Sequence, residues 1–354
     1  MRIARSIGFI AAAALAACGG SNVTGISNQP VTPANTRATT KFANAMVAPG
    51  RFGRLAIRPG TIRPASHRVH RDFVATKPCT YLSGNLSGDV RLYNKDLSLA
   101  GDFGTTSYGW GAAAGNSAIY LGTNNGSGNV DLYTPCTNHF ARTLTGLATG
   151  GNPYGITIAR NTKSVYATDW PIGDIEYWPN GSTTAQSVVD PNIYLPYFLD
   201  ADNPGNVYVV GYNAYNEETM DECTPNFSSC TTKAQIYGGF PGGVQVDQNE
   251  TVYLNDQFGT LYSFDCSAST CTQTGSFTYN NGSTAVDYTD IVLDKYKKHT
   301  LWGANIFFCS ASFGICADAQ PQSLPLNTAV LGAPTPAWDN EEPLGIVRYK
   351  PDTP

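Results

Sequence analysis

The sequence predicts an all-β protein, a six-bladed β-propeller with four-stranded antiparallel blades, on three observations. From Cys79 onward, short runs of Val, Ile, Tyr and Thr alternate with turns of Gly, Asn, Asp and Pro, and no amphipathic helix of ordinary length interrupts them. A strand with an aromatic near its end recurs six times. Its aromatics, Tyr81, Tyr120, Tyr166, Tyr208, Tyr253 and Trp302, stand 39, 46, 42, 45 and 49 residues apart by subtraction of positions, in or near the repeat length of a propeller blade. The first unit lacks an inner strand, and a surplus one, Pro343 to Tyr349, follows the last unit. Pairing the surplus strand with the first unit closes the ring and leaves no open edge.

At the N-terminus, residues 1–17 carry Arg2 and Arg5 before an apolar run from Ile7 to Ala17. This is the layout of a secretion signal, too short to span a membrane as a helix. The sequence Leu15-Ala16-Ala17-Cys18 resembles the lipobox of bacterial lipoproteins, in which the cysteine is acylated and becomes the first residue of the mature chain. The resemblance implies a lipid anchor on Cys18 and a membrane as partner, because several acyl chains on one residue suffice for stable anchoring. Gly19 rather than Asp follows, which resembles the pattern of lipoproteins released to an outer membrane or cell surface.

Residues 18–75 read as a flexible basic tether, rich in Ser, Thr, Asn, Pro and Arg and without helical or alternating period. From residue 19 to 75 there are 8 basic residues and 1 acidic, a net of +7; from residue 76 onward there are 12 basic and 26 acidic, a net of −14. An exported chain with an acidic body excludes nucleic acid as a partner, while the Arg-rich half of the tether suits an anionic membrane surface.

Residues 76–354 form the predicted propeller. After each anchor strand comes a further strand with its own aromatic end: Val90 to Tyr93, Val130 to Tyr133, Ile175 to Trp178, Leu261 to Phe264 and Asn305 to Phe308. The fourth unit reads as irregular, with an acidic, cysteine-closed insertion from Tyr212 to Thr232 whose Glu217–Glu222 run lacks the spacing of a defined calcium loop. Inner strands precede the anchors, as in Gly155 to Ile158 after Pro153-Tyr154 and Gly243 to Asp247 after Pro241. Pro-Tyr-Gly-Ile-x-Ile, then Val-Tyr-Ala-x-Asp, then Gly-Asp-Ile-x-x-Trp resembles the NHL/YVTN/SMP-30 group of β-propellers over about residues 79–350. These are strand, turn and packing residues, so the resemblance speaks to fold and not to function.

With Cys18 lipidated, eight cysteines remain, and in an exported chain they read as disulfides. Cys223/Cys230, Cys266/Cys271 and Cys309/Cys316 are close pairs, and Cys79 with Cys136 is expected to bond across the first two blades. Strand alternation places the b–c loops and blade-to-blade connections on one face, and the a–b and c–d loops on the other. The cysteine pairs fall mostly on the second face, with Cys309/Cys316 expected on the outer turn after strand c of blade six.

The first face gathers Trp110, Tyr154, Asp169, Trp170, Asn255, Asp256 and Trp338, aromatic rings beside carboxylates and amides that suit a glycan, peptide or protein ligand. Trp170 and Trp338 stand out as loop tryptophans. Resemblance to SMP-30-like lactonases implies an alternative, a metal-dependent hydrolase with calcium or another divalent ion in the central channel; Asp200, Asp202, Asp290 and Glu341 are the candidate ligands. No Gly-x-Ser-x-Gly elbow, phosphate loop or His-Glu-x-x-His motif occurs, so no catalytic residue is assigned and no cofactor is expected. The expected protein is a monomeric, lipid-anchored binding module at the bacterial surface, with a structural envelope component as a further alternative. Replacing Cys18→Ser is expected to move the protein from the membrane fraction to the soluble fraction, read by fractionation and blotting; a variant still held by the membrane refutes the lipobox assignment.

Overall fold

A computed structural model describes residues 72–84, 88–104, 108–124, 128–148, 150–257, 259–278, 287–294, 300–308, 315–331, 335, 338–339 and 343–349. Blade one contains β1 (Cys79–Gly84), β2 (Asp89–Tyr93) and β3 (Leu99–Gly104). Blade two is β4 (Tyr108–Ala114), β5 (Ile119–Asn124), β6 (Gly128–Tyr133) and β7 (Phe140–Leu144). Blade three is β8 (Asn152–Ala159), β9 (Ser164–Trp170), β10 (Asp174–Trp178) and β11 (Gln186–Val188). Blade four is β12 (Ile193–Ala201), β13 (Val207–Asn213), β14 (Glu218–Cys223) and β15 (Cys230–Ile236). Blade five is β16 (Pro241–Val246), β17 (Thr251–Asp256), β18 (Thr260–Asp265) and β19 (Thr272–Thr278). Blade six is β20 (Asp287–Leu293), β21 (Thr300–Phe308), β22 (Ile315–Ser323) and β23 (Trp338–Asp339). The last strand, β24 (Pro343–Tyr349), pairs antiparallel with β1 and completes blade one, as the sequence predicts.

All six anchor aromatics lie on the second strand of a blade, and Tyr81, Tyr166, Tyr208 and Trp302 are almost wholly buried. Their role is to join neighbours. Tyr81 Oη donates to Thr137 O at 3.0 Å in the c–d turn of blade two, and Tyr166 Oη to Pro225 O at 2.8 Å in that of blade four.

Adjacent inner strands share no backbone ladder, so other groups must satisfy their facing edges. Asp200 Oδ2 of β12 accepts from Val246 N of β16 at 2.8 Å, Gln245 Oε1 of β16 from Leu293 N of β20 at 3.3 Å, and Asp290 Oδ2 of β20 from Ile346 N of β24 at 3.2 Å. The inner strands also bulge, between Pro153 and Ile156 and between Pro241 and Val244 among others. Proline is tolerated at a bulge, and glycine permits close approach. A Cβ on Gly155 would lie 2.6 Å from Phe198 Cα, and one on Gly243 2.5 Å from Ile291 N. The recurring Pro-x-Gly is thus the mark of inner strands pressed together.

Two regions depart from the sequence reading. Blade four is regular: the acidic run expected as an insertion is β14, paired on both sides, with Glu218 and Asp221 fully buried. Asn305 to Phe308 is not the third strand of blade six but the continuation of β21, which pairs with β22 from Thr300↔Ser323 to Phe308↔Ile315. Gly303, inside this strand, makes room for the Tyr288 ring, 2.5 Å from where its Cβ would stand. The expected Cys309/Cys316 pair falls where β21 ends and β22 begins in the chain. Cys309 lies outside the described residues, and Cys316 is in β22.

Among the described residues three disulfides form: Cys79–Cys136 between blades one and two, and Cys223–Cys230 and Cys266–Cys271 across c–d turns. The first, with a sequence separation of 57, constrains the unfolded chain most, worth about 4 kcal/mol against about 2 for the short loops. Just upstream, Phe73 and Ala75 at the end of the tether already pack on blade one.

Ring closure is reinforced at the seam between blades six and one. Arg348 of β24 pairs through Nε with Asp294 Oδ2 at 2.8 Å, donates from an Nη to Thr80 Oγ1 at 2.9 Å, and stacks over Trp302. Both ion-pair side chains are buried, so removing one strands the other. Arg348→Ala is expected to cost about 3–5 kcal/mol in urea unfolding; a loss below about 1 kcal/mol would show that the β1–β24 ladder alone closes the ring.

Candidate functional site

The rim made by b–c turns and blade-to-blade connections carries a layered aromatic patch over blades three to five. At its base Tyr197 is buried, with ring centroids 5.3 Å from Tyr154, 6.2 Å from Trp170, 5.7 Å from Tyr212 and 5.7 Å from Phe240. Most of these pairs are edge-to-face or tilted, the arrangements that ring quadrupoles favour. Trp170 and Tyr212 are half-buried in the middle layer. Above them Ile172 (45%), Tyr194 (41%), Tyr215 (64%) and Tyr237 (41%) are exposed. Ile172 and Tyr215 sit in b–c turns, Tyr237 in the connection to blade five and Tyr194 at the start of β12, so all four come to this one rim. Tyr194 Oη donates to Asn216 Oδ1 at 2.8 Å, which fixes the ring upright.

Buried acids flank the patch. At the blade-three end, Asp169 Oδ2 accepts from Ala148 N at 3.0 Å, and burial raises its pKa to about 6. Burial, with Asp169 and Asp174 nearby, takes Glu176 to about 7. At the blade-five end, Asp256 Oδ1 accepts from Phe240 N at 2.9 Å. Burial first, and Asp256 second, push Glu218 well above the ordinary carboxylate range.

The opposite mouth of the central channel holds a cavity of ≈ 80 Å³ lined by Thr157, Arg160, Asp200, Gln245, Asp294 and Arg348 among others. The candidate metal ligands have structural work. Asp200 takes Thr157 Oγ1 at 2.8 Å as well as Val246 N. Asp290 takes Ile291 N at 2.8 Å as well as Ile346 N. Asp202 closes its own turn by accepting from Gly205 N and Asn206 N at 2.6 and 2.7 Å. Glu341 lies outside the described residues. Both oxygens of Asp200, Asp202 and Asp290 accept hydrogen bonds, and among the described residues the three do not gather at metal-binding distances, so they do not fit the metal that an SMP-30-like reading implies. Among the described residues, Asp190 with Cys223 and Cys230 comes together at metal-binding distances, but both sulfurs are in a disulfide.

Of the residues expected on the rim, Tyr154 lies in the buried floor and Trp170 in the middle layer, at the end of β9 rather than in a loop. Asp169 is also in β9 and fully buried. Asn255 is buried and donates from Nδ2 to Tyr288 O at 2.6 Å, tying blade five to blade six. Trp110 is in β4 and Trp338 in β23, a strand rather than a loop; their side chains are outside the description. Tyr215 and Glu218 escaped the sequence reading because both fall in the supposed insertion. The signal was present in the spacing: Glu218 follows anchor Tyr208 by ten residues, much as Ile175 follows Tyr166 by nine.

No protein-family model and no curated protein matches the chain. Solved structures do. A chain of the nidogen–laminin complex superposes with a TM-score of 0.59 at 13% identity, over 77% of this chain and 100% of its own. The chain is a six-bladed β-propeller. A protein from Lactobacillus plantarum gives a TM-score of 0.51 at 11% identity over 77% and 99%. A catalytically inactive virginiamycin B lyase from Staphylococcus aureus with quinupristin gives 0.51 at 13% over 66% and 76%. At such identities the likeness is one of fold.

Burial raises Asp290 to about 8 despite its two backbone donors. The folded state then holds a proton that the unfolded chain, near 3.8, has released, so stability falls as pH rises from about 4 to about 8 and levels off above. Asp169 and Glu176 act in the same sense over narrower windows, to about 6 and about 7. Asp290→Asn is expected to flatten the fall of melting temperature between pH 4 and 8; identical slopes in variant and wild type would show that Asp290 is ionised in the fold.

Proposed function

We propose that this protein is an extracytoplasmic, lipid-anchored binding module that takes a glycan or peptide ligand on the aromatic rim of blades three to five. The observation that carries the proposal is the make-up of that rim: exposed Tyr194, Tyr215, Tyr237 and Ile172 share it with half-buried Trp170 and Tyr212, whose rings pack on buried Tyr197. Rigid aromatic rings on a fixed floor lose little conformational entropy on binding and offer both stacking faces and hydroxyl groups. Three disulfides support a location outside the cytoplasm. The acylated Cys18 rests on the lipobox resemblance alone.

The fold neighbours do not choose between binding and catalysis, since one belongs to the nidogen–laminin complex and another is a lyase. The site favours binding, because its exposed groups are aromatic and its carboxylates are buried beneath or beside them. Glycan and peptide arrays probed with the wild-type protein are expected to give hits that Tyr215→Ala and Tyr237→Ala each weaken about tenfold or more, at unchanged melting temperature. Arrays without hits, or hits indifferent to both substitutions, remove the rim as the binding surface.

A further inference from the structure

Beneath the rim, three side chains converge on the turn that crosses from blade four to blade five. Glu218 opens β14, opposite Tyr212 on one side and Ile236 on the other. Asp256 closes β17, and its Oδ1 accepts from Phe240 N at 2.9 Å. Gln257 runs alongside the same turn: its backbone N donates to Phe240 O at 2.9 Å and its Nε2 to Pro241 O at 2.5 Å. The Glu218 carboxylate lies against Gly239, where an added Cβ would overlap Oε2, so the turn is cut away to receive it.

The unpartnered atoms here are all of one kind. Glu218 Oε1 and Oε2 and Gln257 Oε1 are buried and make no hydrogen bond among the described residues. Glu218 is 0% exposed, Gln257 3% and Asp256 7%. Gln257 already uses its amide nitrogen on Pro241, and its oxygen is left unpartnered. Glu218 takes part in none of the ion pairs among the described residues. Two unpartnered buried carboxylate oxygens of Glu218 together with the unpartnered oxygen of Gln257 call for positive charge.

We propose that Glu218, Asp256 and Gln257 hold a calcium ion between blades four and five, under the aromatic rim. Two carboxylates match a divalent charge, and an all-oxygen set selects a hard cation over zinc. Calcium accepts about six to eight oxygens in irregular geometry, with mono- or bidentate carboxylates, whereas magnesium demands a near-ideal octahedron. The ion would tie the start of β14 to the end of β17 and so brace Tyr212 and Phe240 from below. The site needs no external ligand and stands or falls independently of the rim's function.

The test is calcium titration of the full chain by calorimetry after dialysis against a chelator, with terbium luminescence sensitised by the neighbouring tyrosines as a second readout. One saturable calcium per chain is expected, with a melting temperature that rises on calcium addition. Glu218→Gln should weaken binding at least 100-fold and abolish the thermal response. Asp256→Asn, which keeps an acceptor for Phe240 N, should weaken it at least tenfold. Glu222→Gln on the same strand, whose partner is Lys233, should leave binding unchanged. Absence of saturable binding by the wild type, or binding undiminished in Glu218→Gln, overturns the proposal. So does a calcium-indifferent wild type that Glu218→Gln stabilises, because the buried acid is then neutralised by a proton.

Discussion

The constraint on which this structure depends is the approach of six inner strands around a channel without a backbone ladder between them. Each inner strand is hydrogen-bonded on one edge to its own blade and turns the other edge to its neighbour. Bringing those edges together requires glycine where backbones touch, as at Gly155 against Phe198, and bulges that tolerate proline. It also requires side chains that reach across to the stranded N–H groups. Asp200, Gln245 and Asp290 supply them in sequence around the ring.

That use of the channel acids settles where chemistry is left over. Carboxylates that a metal or a substrate might have recruited are already bound to backbone donors of the next blade, and Arg348 and Asp294 are spent on the seam. The two faces differ for a related reason. Disulfides and tyrosine hydroxyls fasten the c–d turns on one face, whereas the other grows a stack of aromatic side chains from the inner-strand starts and b–c turns of blades three to five. Cross-links are concentrated on the c–d face, and exposed Ile172, Tyr194, Tyr215 and Tyr237 on the rim of b–c turns and blade-to-blade connections.

Period and pattern were sufficient where each unit obeyed them. The six anchors, the regular blades and the closing strand Pro343–Tyr349 were legible because each is a local pattern repeated at a fixed distance. Reading failed where composition competed with spacing. The run Glu218 to Glu222 looked like a solvated loop because it is acidic, yet its alternate residues are inward members of a central strand. Asn305 to Phe308 looked like a strand of its own because it ends in aromatics, yet it continues β21 past Gly303, the hole into which Tyr288 fits. Asp169 and Asn255 looked like available ligand groups because they end strands, yet Ala148 N and Tyr288 O claim them from neighbouring segments.

The sequence by itself determined the repeat, the ring closure, the close cysteine pairs Cys223/Cys230 and Cys266/Cys271, and the division of charge between a basic N-terminal segment and an acidic body. These depend on residues near one another or on a period, and both survive in one dimension. Only the tertiary structure decided which polar groups are free. Whether a carboxylate meets a backbone donor, a second carboxylate or solvent depends on partners tens of residues away, as for Asp200 with Val246 or Glu218 with Gly239. The candidate site therefore became readable only when the blades were set side by side, with Tyr215 and Tyr237 at its surface and Glu218 beneath it.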